Sequence, residues 1–239
     1  MKIALLTTDT LHHSFFAREI CKSFSNVVAI CETNQCSISK YNTNHRFELE
    51  RDKYEREKWF DGEHKKMDAF VPTFYVPTLN DPKAISIVEQ EQADIFVVFG
   101  TGLLKPIFTD IFNKNIYNLH GGDPERYRGL DTHLWSIFHN DFIGLVTTLH
   151  QLEPGLDTGK IILQGEVPLF KGMSIHALRA ANTELCISLV ITLFDMYKRF
   201  NNHVIGRQQL SIGRYYNAMP VELKEISIKR FNAHIKKSF

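Results

Sequence analysis

The run IFVVF, Ile95–Phe99, sets the tightest limit on what this chain can fold into. Apolar side chains at every position leave no polar face, so the segment reads as a strand covered on both sides rather than one edge of an open sheet. It runs straight into FGTGLL, which puts Gly100 to Leu103 at the carboxyl end of a central strand, where ligand sites of open α/β sheets collect.

The flanking segments supply the rest of such a sheet. Lys2 to Thr7 and Val27 to Cys31 read as strands, separated by a helix from Ser14 to Phe24 whose Phe15, Phe16, Ile20 and Phe24 share one face. Phe74 to Val76 reads as a short strand and Pro82 to Glu91 as a helix. Strands alternating with helices imply right-handed crossovers and a Rossmann-like α/β fold, a largely parallel sheet with helices on both faces. Further on come a helix near Leu130 to His139, strands at Leu145 to Leu152 and Lys160 to Pro168, and a long helix capped by Ser174 carrying Leu178, Leu185, Leu189 and Leu193.

The expected division is a main domain over 1–200 and a short C-terminal appendage over 201–239. The appendage reads as a turn or hairpin at SIGRYYNAMP and an amphipathic segment with Leu223, Ile226, Phe231 and Ile235, which either buries itself on the main domain or forms a dimer interface. Between Ser37 and Ala69 the chain is dense in charges of both signs, which suggests a solvated helix.

Composition narrows the function classes. The 239 residues, 44% of them apolar, suffice for a full core, and 28 basic against 27 acidic side chains give no global field to hold a polyanion. Nucleic acid is therefore not the expected partner. Cys21, Cys31, Cys36 and Cys186 show no zinc-ligand spacing and fit free thiols in a reducing compartment, and no metal is expected. The apolar run in MKIALLTTDT is too short for a signal-peptide core, and no segment approaches a membrane span, so a cytoplasmic location away from membranes is expected. Neither a G-x-x-x-x-G-K-[ST] loop nor a G-x-G-x-x-G loop is present.

Chemistry concentrates in NLHGGDPERYRG, Asn118–Gly129, and in GLDTGKI around Asp157. An Asn amide can donate to a developing oxyanion, a His can move a proton, and a carboxylate can hold and charge-stabilise that His. Singly, an Asn or Asp beside glycine is usually a turn residue and a lone His is more often hydrogen-bonded structure. Order and spacing raise the weight of the set.

N-x-H at Asn118 to His120, an aromatic and glycine at Tyr127 to Gly129, T-x-H at Thr148 to His150 and D-x-G at Asp157 follow in this order. The pattern resembles the folate-dependent formyltransferases, closely over Ile95 to Pro168 and loosely before it. The resemblance implies Asn118, His120 and Asp157 as catalytic residues, 10-formyltetrahydrofolate as formyl donor, and a folate pocket formed by Gly100, Gly102, Leu103 and Leu104 with Glu153, Gly155 and Leu156, supported by His150.

Within that resemblance the acceptor stays open. Methionyl-tRNA enzymes of the family carry a substantial C-terminal barrel, which the residues after Pro168 do not supply. Glycinamide ribonucleotide enzymes carry a Gly-Ser-Asn loop where this chain has TTDTLHHS. A nucleotide-linked amino sugar is the expectation, with dTDP-4-amino-4,6-dideoxyglucose the best single choice and O-antigen or another cell-surface polysaccharide the destination. Its contacts are expected at Thr8, Asp9, Gly121 and Gly122, with Arg126 and Arg128 on the diphosphate and Trp135, Tyr215 or Tyr216 stacking on base or sugar. A formyltetrahydrofolate hydrolase and a non-catalytic binding module are the other readings, and a homodimer is expected by family resemblance.

Overall fold

A computed structural model describes residues 1–34, 41–63, 65–111, 115–202 and 204–238. Cys36, and with it the stretch from Ser37 to Lys40 of the charged segment, lies outside the described residues. A seven-stranded sheet runs in the order β3 (Thr73–Val76), β2 (Val27–Glu32), β1 (Ile3–Thr8), β4 (Ile95–Phe99), β5 (Ile116–His120), β7 (Val146–Gln151), β8 (Ile161–Glu166). The first five are parallel, whereas β7 and β8 are antiparallel to their neighbours. The order reverses between β1 and β4, so the crevice where a ligand can bind opens outside their carboxyl ends.

Both faces are covered. Ile95, Val97 and Phe99 pack with α1 (Leu11–Ser23) and α6 (Leu178–Arg199), while Phe96 and Val98 face Ala84 and Val88 of α3 (Pro82–Glu91) and Phe108 of α4 (Pro106–Ile111). Every residue of β4 is buried, as its unbroken apolar run requires. Asp81 caps α3 by accepting from the Lys83 amide at 2.8 Å, and Pro82 occupies its first turn, worth about 1 kcal/mol for the cap.

The charged segment forms α2 (Arg46–Phe60), and it is not simply solvated. Phe47, Glu55, Trp59 and Phe60 are buried, and Trp59 stacks on Phe15 of α1 at 4.1 Å. A fully buried Glu55 is tolerable because Arg179 of α6 meets it with Nε at 2.7 Å and Nη2 at 2.5 Å.

Three further expectations are corrected. Ser174 makes no side-chain cap; its hydroxyl pairs with the His176 ring at 2.9 Å, and a 3-10 turn (Ile175–Ala177) leads into α6. The stretch Ile175–Arg199 is, by length and composition alone, apolar enough to cross a membrane, and 61% of its most apolar window is buried inside this fold. In place of a hairpin, β9 (Arg214–Tyr216) pairs in parallel with β6 (Tyr127–Gly129), far back in the chain. α7 (Val221–Ser238) then lies against α5 (Thr132–Phe138), burying Phe231 and Ile235 in a cluster with Phe47, Ile137 and Leu178, so these two residues of the stripe are consumed by the chain's own core.

Candidate active site

Asn118 and His120 lie two residues apart on β5 and so project from the same face of the sheet. The antiparallel register of β7 sets His150 opposite Asn118 and Thr148 opposite His120. Asp157 enters from the loop between β7 and β8 with φ 53°, a left-handed conformation that Asp tolerates better than most residues. Its backbone carbonyl accepts from Gln209 Nε2 at 2.9 Å, and the same amide donates to Gly159 at 2.8 Å.

The three side chains meet through the Asp157 carboxylate. Oδ2 accepts from the Gly129 amide at 3.0 Å and lies 3.5 Å from His120 Nδ1. Oδ1 accepts from Asn118 Nδ2 at 3.4 Å and lies 3.5 Å from His150 Nε2. Gly129 reaches this position with φ 97°, beside Tyr216 of β9, where a side chain would collide.

Hydrogen-bond partners assign the imidazole protons. His120 Nε2 donates to the Tyr127 carbonyl at 2.8 Å, which leaves the Nδ1 lone pair facing Asp157. His150 Nδ1 donates to the Gln151 carbonyl at 2.8 Å, so its Nε2 accepts from Asn118 Nδ2 at 3.1 Å and fixes which way the Asn118 amide points. Burial lowers the His120 pKa by more than Asp157 raises it, and the ring is neutral at pH 7. Burial works to raise Asp157, but the His120 and His150 rings and the Gly129 amide outweigh it and hold the carboxyl at about 2. The result is a neutral base beside a fixed negative charge.

A cavity of about 1350 Å³ opens over these residues. One wall is the loop after β4, whose Gly100 has φ 70° and lies so close to the His13 ring that no side chain would fit. Glu32 braces that loop, accepting from the Gly102 amide at 2.8 Å and from the Leu79 amide at 2.8 Å. Asn80 holds it again, donating to Leu103 O at 2.9 Å and accepting from the Lys105 amide at 2.8 Å.

Of the residues singled out from sequence, Thr8, Asp9, Gly100, Gly102, Leu103, Leu104, Asn118, His120, Gly121, His150, Glu153, Gly155, Leu156, Asp157 and Tyr215 line this cavity. Gly122, Arg126, Arg128, Trp135 and Tyr216 do not. Arg126 pairs with Asp141 at 2.8 Å, and Arg128 donates to the Gly213 and Leu156 carbonyls at 2.6 and 3.2 Å. Trp135 donates to Asn217 O at 2.8 Å and packs on Tyr216 at 4.9 Å, a seam between α5 and β9.

Sequence reading missed His12, His13, Arg51, Arg179 and Asn182 on the cavity wall. The adjacent histidines of TTDTLHHS were a legible signal, because they follow the first strand at the end where ligands gather. Among the described residues, no group of three or more His, Cys, Asp or Glu is arranged to hold a metal ion.

A family model described as formyl transferase matches residues 1–191. The chain belongs to the formyl transferase family. Among curated proteins it is similar to the methionyl-tRNA formyltransferase of Syntrophus aciditrophicus, 32% identical over 100 residues that make up 41% of this chain and 32% of that protein. The matched region thus spans about a third of that relative's length. Among solved structures, a formyltransferase of Anoxybacillus kamchatkensis in complex with UDP-4,6-dideoxy-4-formamido-L-AltNAc and tetrahydrofolate matches with a TM-score of 0.53 at 18% identity, over 90% of this chain and 85% of that one. Glycinamide ribonucleotide transformylase 1 of Symbiobacterium toebii matches with a TM-score of 0.60 at 15% identity, over 90% and 95%. At these identities the structures share the fold.

Proposed function

We propose that the chain transfers the formyl group of 10-formyltetrahydrofolate to the amine of a nucleotide-linked amino sugar. The observation that carries the reading is the Asp157 carboxylate within 3.5 Å of both Asn118 and His120 at the edge of a large cavity. The amine nitrogen attacks the formyl carbon, and Asn118 Nδ2, releasing its long 3.4 Å bond to Asp157, donates to the oxygen as it becomes an oxyanion. His120 takes the amine proton at Nδ1, where Asp157 stabilises the imidazolium. The carbon–N10 bond breaks, the proton passes to N10, and the products are the formamide and tetrahydrofolate. These steps call for no metal.

The sugar acceptor is supported by the likeness to the Anoxybacillus protein, solved with a UDP-linked formamido sugar. dTDP-4-amino-4,6-dideoxyglucose, destined for O-antigen or a similar surface polysaccharide, remains the preferred acceptor. Cytoplasmic location, no membrane or nucleic-acid partner, and a homodimer belong to the same reading, and light scattering of the purified protein tests the dimer. Methionyl-tRNA is the second reading, favoured by the curated relatives. The deciding assay mixes the protein with 10-formyltetrahydrofolate and, separately, UDP- and dTDP-amino sugars, glycinamide ribonucleotide, methionyl-tRNA, or no acceptor. A formyl mass gained by a sugar nucleotide supports the proposal; formylation of another acceptor alone, or formate released without any, sinks it.

A further inference from the structure

The cavity carries a second concentration of charge, on the wall built by α2 and α6. Arg51 and Arg179 both line it, with side chains only 20% and 25% exposed. Each guanidinium is held by one edge. Arg179 uses Nε and Nη2 on Glu55 and Asp52, and Arg51 uses Nε and Nη2 on Asp52 at 3.1 Å. Neither Asp52 nor Glu55 lines the cavity, and the Nη1 group of each arginine bonds none of the carboxylates among the described residues. Both arginines thus border the space, and the carboxylates paired with them do not.

Asp52 and Glu55 balance the two arginines in formal charge but do not line the cavity, and Asp9, Glu32 and Asp131, which do, are already hydrogen-bonded. Asp9 lines the same wall, but its carboxylate is taken by Ser14 Oγ, the Met67 amide and the Tyr75 hydroxyl at 3.1, 2.9 and 2.9 Å. Glu32 is occupied by Thr78, Leu79 and Gly102, and Asp131 by the Met219 amide and Lys224. Lys66 adds a further cation to the lining, as does His12 when protonated. His13 is 3% exposed, with an Nε2 that has no hydrogen-bond partner. Burial, His13 and the two arginines hold His12 well below its ordinary pKa.

Two planar guanidinium groups on one wall can each pair with two oxygens of a tetrahedral phosphoryl group. We propose that Arg51 and Arg179, with His12 beside them, form the oxyanion subsite of the acceptor pocket and take the phosphate or diphosphate of the molecule whose amine is formylated. This rests on the cavity being the acceptor site, and it moves the diphosphate away from Arg126 and Arg128, which are engaged elsewhere.

The test is calorimetric titration of wild type, Arg51→Gln and Arg126→Gln with inorganic phosphate, with pyrophosphate and, separately, with 5-formyltetrahydrofolate. Wild type should bind pyrophosphate, Arg51→Gln should bind it at least tenfold more weakly, Arg126→Gln should match wild type, and all three should bind the folate alike. Preference for pyrophosphate over phosphate marks a diphosphate acceptor, and the reverse a monophosphate one. Equal pyrophosphate binding by Arg51→Gln and wild type, loss in Arg126→Gln instead, or no binding of either anion by folate-competent wild type overturns the proposal. Should Arg51→Gln not fold, the His12 proton resonance of wild type, assigned through His12→Gln, must titrate at higher pH when pyrophosphate is added, and an unmoved titration is equally decisive against it. Anion binding without formyl transfer refutes the function alone, whereas formyl transfer with an unchanged acceptor KM in Arg51→Gln refutes the subsite alone.

Discussion

Asp157→Asn isolates the charge from the shape of the site. Asn tolerates φ 53° as Asp does, and its oxygen can still accept from the Gly129 amide, so the loop should keep its path. What is lost is the negative charge 3.5 Å from His120 Nδ1, in a place where both side chains are less than a tenth exposed. At that separation and an effective dielectric constant of about 20, the pair is worth up to about 5 kcal/mol to the imidazolium formed as the amine proton is taken up. Since 1.36 kcal/mol is tenfold in rate, kcat should fall by between about 10³ and 10⁴. Single-turnover formation of tetrahydrofolate measures it, with circular dichroism to establish that the variant is folded. The titration of His120, followed by proton NMR, should move further down because Asp157 no longer raises it. A folded variant within tenfold of wild-type kcat, or an unmoved His120 titration, would refute the role given to this carboxylate.

Other outcomes follow from the same geometry. Asn118→Ala removes one oxyanion donor and should lower kcat by about 10² to 10³ while the affinity for 5-formyltetrahydrofolate measured by calorimetry stays the same. Gly122→Ala would bring a Cβ to 3.0 Å from His120 Nε2 and from Thr132, and steady-state kinetics should register a loss in kcat with little change in far-ultraviolet circular dichroism. Because His120 must be neutral to accept a proton and its pKa lies below 6.5, kcat/KM should be level from pH 7 to 8 and decline only as the pH falls below 6.5. Asp157, at about 2, stays ionised across that range. Lys224→Met leaves Glu48 without the ammonium 2.7 Å away and should cost about 3 kcal/mol, seen as a lower urea midpoint.

The sheet and the candidate catalytic residues were legible for different reasons. Ile95–Phe99 is apolar throughout because helices cover both its faces, whereas a strand with one face in water would alternate apolar and polar side chains. Asn118, His120 and Asp157 stood out through order along the chain, although nothing in the sequence states that Gly129 and Gln209 hold the Asp157 loop. The wall made by Arg51 and Arg179 was hidden. Glu55 enters the core only as the partner of an arginine 124 positions away, so α2 reads as charged and solvated to any count of local periodicity. β9 is three residues of RYY joined to β6 by backbone bonds, a pairing that depends on no side-chain pattern, and it surfaced only as a turn or short hairpin.

Gln209 lies beyond residue 191, where the family match stops, and yet it holds the carbonyls of Asp157 and Gly159. Arg128 likewise spans from the Gly213 carbonyl to that of Leu156. The segment after α6 is therefore not a detachable module. Exchanging tails between relatives to alter assembly would also disturb the Asp157 loop, and a truncation at residue 200 would preserve every strand of the main sheet while removing an anchor of the carboxylate proposed to act in catalysis.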